Sequence, residues 1–127
     1  MTEQEILDAF PTAVRLAKPE KFDVGAAPIS IPAFRLEHLT LRIYFIMTPA
    51  LSQVVLNSKE ADPYDFQIIE ALLVRKYDRP WQKTTDLVQL SQWTLPSTII
   101  TLRRFSDRNI RVQFLTLTYA LRQESPL

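Results

Sequence analysis

The stretch Leu39-Thr40-Leu41-Arg42-Ile43-Tyr44-Phe45-Ile46-Met47 alternates with period two. Leu39, Leu41, Ile43, Phe45 and Met47 fall on one side, and Thr40, Arg42, Tyr44 and Ile46 on the other. Successive side chains of a strand point to opposite faces, so the pattern predicts a strand whose odd-numbered face is buried and whose other face is partly wet.

On the N-terminal side, Phe34 and Leu36 have the opposite parity, which calls for a bulge or break near Glu37-His38. Residues 18–33 hold Pro19, Pro28, Pro32 and Gly25, and they read as a Pro-rich connection or an edge segment, because proline cannot donate into a ladder. Residues 1–17 read as an N-terminal helical segment. Thr2 with Glu5 three residues on is a capping box, and Ile6, Leu7 and Phe10 form an apolar stripe ahead of Pro11. Ala13, Val14, Leu16 and Ala17 suggest one further turn before Pro19. On the C-terminal side Thr48-Pro49 closes the strand, and residues 49–56 suggest a helical turn with Thr48 as N-cap.

Residues 62–78 carry the strongest helix signal. Asp62 is a good N-cap, Pro63 suits the first turn, Asp65 complements the helix dipole, and Arg75, Lys76 and Arg79 gather before Pro80. Phe66, Ile69, Leu73 and Tyr77 share one side, widened by Leu72 and Ile68, as suits a helix lying on a sheet. Thr85–Trp93 is a weaker helix candidate. Residues 98–105 are β-branched at their start, Ser106-Asp107-Arg108-Asn109 supplies turn chemistry, and Ile110 to Leu121 returns as a strand. In that return strand Val112, Phe114, Thr116, Thr118 and Ala120 oppose Leu115, Leu117, Tyr119 and Leu121, so both faces carry apolar side chains. The expected fold is α+β: a single domain over 1–127, mostly antiparallel sheet, with a C-terminal β-hairpin, one main helix at about 63–78 packed on the sheet and a short N-terminal helix. Its core spans 34–121, and 122–127 form a loose tail.

Composition narrows the chemistry. The chain has no cysteine, one histidine (His38) and one glycine (Gly25) in 127 residues. That excludes a thiolate nucleophile, a disulfide framework and a multi-histidine metal site within one chain, and leaves only His38 as the base of a Ser-His-Asp relay. Phosphate-cradling loops need several glycines, so nucleotide fingerprints are absent as well. Fifteen basic against fourteen acidic residues, a formal +1 at pH 7, give no global field toward nucleic acid or anionic lipid. The acidic start Met1-Thr2-Glu3-Gln4-Glu5 is unlike a signal peptide, and Leu39–Leu56 is too interrupted by polar residues to span a bilayer. The expectation is a mature, soluble chain, cytoplasmic or particle-associated.

Glu37-His38 is the sole acid-base pairing involving histidine, but adjacent strand residues point to opposite faces and no nucleophile is placed beside it. Asp62 and Asp65 resemble paired carboxylates, yet a helix start accounts for both. Trp81 and Trp93 read as core or interface anchors. No catalytic, cofactor-binding or metal residues are therefore assigned. The local feature of interest is the cluster Arg103, Arg104, Arg108 and Arg111, interleaved with Phe105 and Phe114. These six are the interface candidates. The bland alternative is a solvated turn that keeps a sheet edge from pairing with strangers.

The strand 39–48, the acidic-start helix Asp62-Pro63-Tyr64-Asp65-Phe66-Gln67-Ile68-Ile69-Glu70-Ala71-Leu72-Leu73 and the closing strand Val112–Leu121 together resemble, in order of elements, the tail-terminator proteins of phage tails and contractile injection systems. The resemblance implies a small α+β subunit that forms a ring capping a tube. It carries no diagnostic motif, and the proline-rich 18–33 segment and the lack of glycine-marked turns depart from it. Two functions follow. The first is a non-enzymatic structural or assembly subunit whose partners are copies of itself or other protein subunits. The second is a nucleic-acid-binding regulatory module in which the same arginines contact phosphate and Phe105 or Phe114 stacks on a base.

Overall fold

The computed structural model describes residues 1–59 and 62–122, and the chain divides into two compact units, Met1–Leu56 and Asn57–Leu127. In the first unit helix α1 (Glu3–Ala9) precedes strands β1 (Val14–Phe22), β2 (Gly25–Leu36), β3 (Leu39–Met47) and β4 (Leu51–Ser58, whose end runs past the boundary), in spatial order β1-β2-β3-β4. The capping box forms as expected: the Glu5 N–H donates to Thr2 Oγ1 and the Thr2 N–H to Glu5 Oε1. The expected strand at 39–47 is β3, with Leu39, Leu41, Ile43 and Phe45 buried. Its other face is less wet than alternation suggests, because Ile46 is fully buried and packs with Ala27 and Val55. The Phe10 and Phe45 ring centroids lie 5.4 Å apart, which lays the end of α1 on the odd-numbered face of β3.

Four local expectations give way to strands. Residues 14–17 of the expected helical turn begin β1; the 18–33 connection holds the rest of β1, a turn at 23–24 and most of β2; residues 51–56 of the expected 49–56 turn are most of β4; and Thr85–Trp93, read as a helix, supplies most of β6 (Val88–Thr94). Apolar runs this short fit either period, and pairing with neighbours decides them. The register explains why these strands tolerate proline. Register shifts separate Arg15 from Glu20, Ala26 from Ile29 and Ile31 from Phe34, and Pro19, Pro28 and Pro32 lie one in each gap. A residue at a break owes the ladder no N–H. The break at Pro28 also puts Ala27 and Ile29 on opposite faces, so β2 feeds two apolar clusters: Ala27 meets Ile46, and Ile29 pairs with Phe45. The interruption expected near Glu37-His38 is a two-residue turn between Leu36 and Leu39, with Glu37 at φ 56°.

The second unit holds α2 (Pro63–Tyr77) and strands β5 (Trp81–Thr84), β6, β7 (Thr98–Asp107) and β8 (Val112–Leu121), in order β8-β7-β6-β5, each pair antiparallel. Asp62 caps α2 through a capping box with Asp65, and Phe66, Ile69 and Leu73 are its buried face. The expected C-terminal hairpin is β7–β8, with its turn at 108–111 and Val112, not Ile110, opening the return strand. Among the described residues no helix is long and apolar enough to cross a membrane. The tail from 123 onward lies outside the described residues.

Candidate functional site

Cross-strand register in the second unit sorts its side chains onto two faces. Ser91, Leu102 and Leu117 are mutual neighbours across β6, β7 and β8, as are Trp93, Ile100 and Tyr119. On this face Ser91, Trp93, Ile100, Leu102, Leu115 and Leu117 are buried. Helix α2 covers it: the Glu70 carboxylate accepts from Ser91 Oγ and from Gln82 Nε2, and Trp93 Nε1 donates to the Asp78 carbonyl beyond the helix end. Burial, then the neighbouring Tyr77, raises the Tyr119 phenol above its ordinary pKa.

The other face carries Leu90, Arg103 and Thr116 in one row and Val88, Phe105 and Phe114 in the next. No described residue of this face is buried, although it presents Val88, Leu90, Ile99, Phe105 and Phe114. Phe105 and Phe114 stack with ring centroids 5.2 Å apart and planes at 21°. Trp81 at the outer strand is 58 % exposed, and Val112 at the opposite corner is 40 % exposed. A sheet with one face under a helix and the other open is an ordinary antiparallel design, but its open face is normally polar. This one mixes aliphatic and aromatic side chains with threonines and with Lys83, Gln92, Arg103 and Asp107.

The six interface candidates do not form one patch. Arg103, Phe105 and Phe114 share the open face. Arg104 points to the covered face, where it is only 9 % exposed and donates toward Gln89 Oε1 and Gln113 Oε1 at 3.5 and 3.3 Å. Arg108 and Arg111 stand exposed in the turn, Arg111 with φ 53°. The expected basic cluster is thus divided between two faces and a turn, because alternation sends Arg103 and Arg104 opposite ways. The share of β6 in the open face is the part that sequence reasoning misses, since Val88 and Leu90 fall in the stretch whose pattern suggests a helix. Their alternation with Gln89, Ser91 and Trp93 is the signal that could have found it.

At the turn end lies an open hollow of about 650 Å³, lined by Asp86, Leu87, Arg104, Asp107, Arg108 and Gln113 among others. The formal charges of Asp86 and Asp107 balance those of Arg104 and Arg108 among its lining residues, so it offers no net charge to steer an anion. A smaller hollow of about 340 Å³ adjoins it, lined by Arg108, Arg111 and Val112 among others. His38 sits exposed in the β2–β3 turn of the first unit. Among the described residues no group of three or more His, Cys, Asp or Glu side chains is arranged to hold a metal. No family model, curated protein or solved structure matches this chain.

Proposed function

We propose that this chain is a non-enzymatic structural or assembly subunit that works by protein contact, and that the open face of the second unit is its contact surface. One observation carries the reading: β6, β7 and β8 present Val88, Leu90, Ile99, Phe105 and Phe114 on a face with no buried residue, while the opposite face is packed under α2. Half-exposed aromatic and aliphatic side chains gathered on one surface are characteristic of docking sites. The tube-capping role implied by the resemblance to tail terminators is the finer form of this proposal, and it calls for a ring of copies. The nucleic-acid reading has less support, because only Arg103 of the four hairpin arginines lies on the aromatic face, where Lys83 joins it and Asp107 offsets one of the two charges.

Affinity capture from the native source, with the wild type beside a Thr101→Arg/Thr116→Arg variant, tests the reading. Both threonines lie on the open face, partly exposed, so the variant should fold. Protein partners, copies of the chain included, that the wild type holds and the variant loses support the proposal. Equal recovery with both, or recovery of nothing with either, overturns it.

A further inference from the structure

The open face has, along β7, a charge pattern that matches itself, with Lys83 on β5 as a further cation of the face. Along β7, Arg103, Phe105 and Asp107 lie on this face in succession, with Phe105 midway between the two charges. At about 3.4 Å of rise per residue each charge stands about 6.8 Å from Phe105, on opposite sides of it. Suppose two such faces stack about a twofold axis that lies between them, crosses the strands and passes near Phe105. The two β7 strands then run antiparallel over each other, Arg103 of one copy lies over Asp107 of the second, and the reverse pair forms at the same time. Packed sheets stand about 10 Å apart, a gap that an extended arginine and an aspartate span together. The stacked Phe105 and Phe114 rings fall at the centre, and the charges fall toward the rim.

The individual groups suit this arrangement. Arg103 is exposed. Asp107 Oδ1 accepts the Asn109 N–H at 2.9 Å, which leaves Oδ2 as the acceptor that a cross-interface pair would use. A twofold axis running along the strands instead would set Arg103 against Arg103, which like-charge repulsion disfavours. Of the two twofold arrangements, the row therefore favours the one with antiparallel β7 strands.

We propose that the occupant of the open face is a second copy of this chain, docked face to face with antiparallel β7 strands and held in register by two Arg103–Asp107 pairs. The proposal rests on the reading of this face as a protein contact surface and specifies its partner. An isologous contact of this kind closes as a dimer, so a ring of copies would need a further contact elsewhere on the chain.

Sedimentation across protein concentration, with Arg103→Asp, Asp107→Arg and an equimolar mixture of the two, tests it, each variant being checked for native folding by circular dichroism. The wild type should dimerise, and each single reversal, which sets like charges together twice, should weaken dimerisation about tenfold or more. The mixture should restore it. One chain of the heterodimer then carries aspartate at both positions and the other arginine at both, so each of the two pairs again joins opposite charges. A wild type that stays monomeric up to millimolar protein overturns the second copy as occupant, while the capture experiment above still decides whether the face binds another protein. A dimer indifferent to both reversals, or one that the mixture fails to restore, overturns the orientation. Binding of a single-stranded oligonucleotide by a monomeric wild type, lost on Arg103→Asp, replaces the second copy with nucleic acid and overturns the proposal as well.

Discussion

Trp93 Nε1 donates to the carbonyl oxygen of Asp78 at 2.8 Å, tying the buried end of β6 to the residue that terminates α2. Asp78 has φ 72° and ψ −159°, a backbone region that side chains with a Cβ rarely adopt. The tryptophan thus holds in place a helix end that the local backbone does not favour. Trp93→Phe removes the donor from a site where Trp93 is only 3 % exposed. It should lower stability by about 2 kcal/mol, from the lost hydrogen bond and the space the smaller ring leaves. Asp78→Gly should do the reverse and stabilise by about 1 kcal/mol, because glycine accepts that conformation without strain. Urea denaturation of both variants checks the pair of signs.

Gly25 makes a sharper demand. It has φ 149°, and a Cβ there would stand 2.8 Å from Thr48 Cγ2 and 3.0 Å from Ile46 Cγ2. Ile46 is fully buried, so it has little room to yield. Gly25→Ala should therefore destabilise the first unit by about 2 kcal/mol or more, from backbone strain and overpacking together. Thermal melts compared with Ala26→Gly, at an exposed neighbouring position, separate this effect from general glycine effects.

The alternation along β3 sets up a paired test. Ile43 is 7 % exposed, whereas Arg42 points outward, its guanidinium donating to the Tyr44 hydroxyl at 3.5 Å. Ile43→Asp places an unpaired carboxylate in the core and should abolish folding, while Arg42→Asp should shift stability by no more than about 0.5 kcal/mol. Melts of both variants check this, and equal stability would contradict the assignment of the buried face.

Glu5 gives an acid-side prediction. The Thr2 backbone N–H, and then the Thr2 hydroxyl, hold its carboxyl below the ordinary 4.5. A carboxylate with a lowered pKa in the folded state stabilises fully above its unfolded value, and that contribution disappears as pH falls through the lowered value. The stability difference between the wild type and Glu5→Gln should therefore be constant near neutrality and change only below pH 4.5. The effect should be small, since the group is exposed. Melting temperature followed against pH for both chains measures it.

How much was legible divides by the range of the forces involved. The strand at 39–47, the capping boxes at Thr2 and Asp62, helix α2 and the β7–β8 hairpin all rest on signals that a few neighbouring residues contain: alternation, a side-chain oxygen three residues from an N–H, a helical stripe, a turn. Those the sequence determined by itself. Residues 14–22, 51–58 and 88–94 carry short, ambiguous apolar patterns, and ladders with distant segments made them strands. The same ladders placed Pro19, Pro28 and Pro32 in breaks of register, where a missing N–H costs no hydrogen bond. The arginines of the hairpin were visible as a cluster, and alternation already parts Arg103 from Arg104, but which of the two lies under the helix was not visible, because it depends on which face α2 covers. Tertiary structure alone decided that Arg104 turns toward the helix side while Arg103, Phe105 and Asp107 share the open face, since the covering of a sheet is a contact between elements far apart in the chain and no local period encodes it.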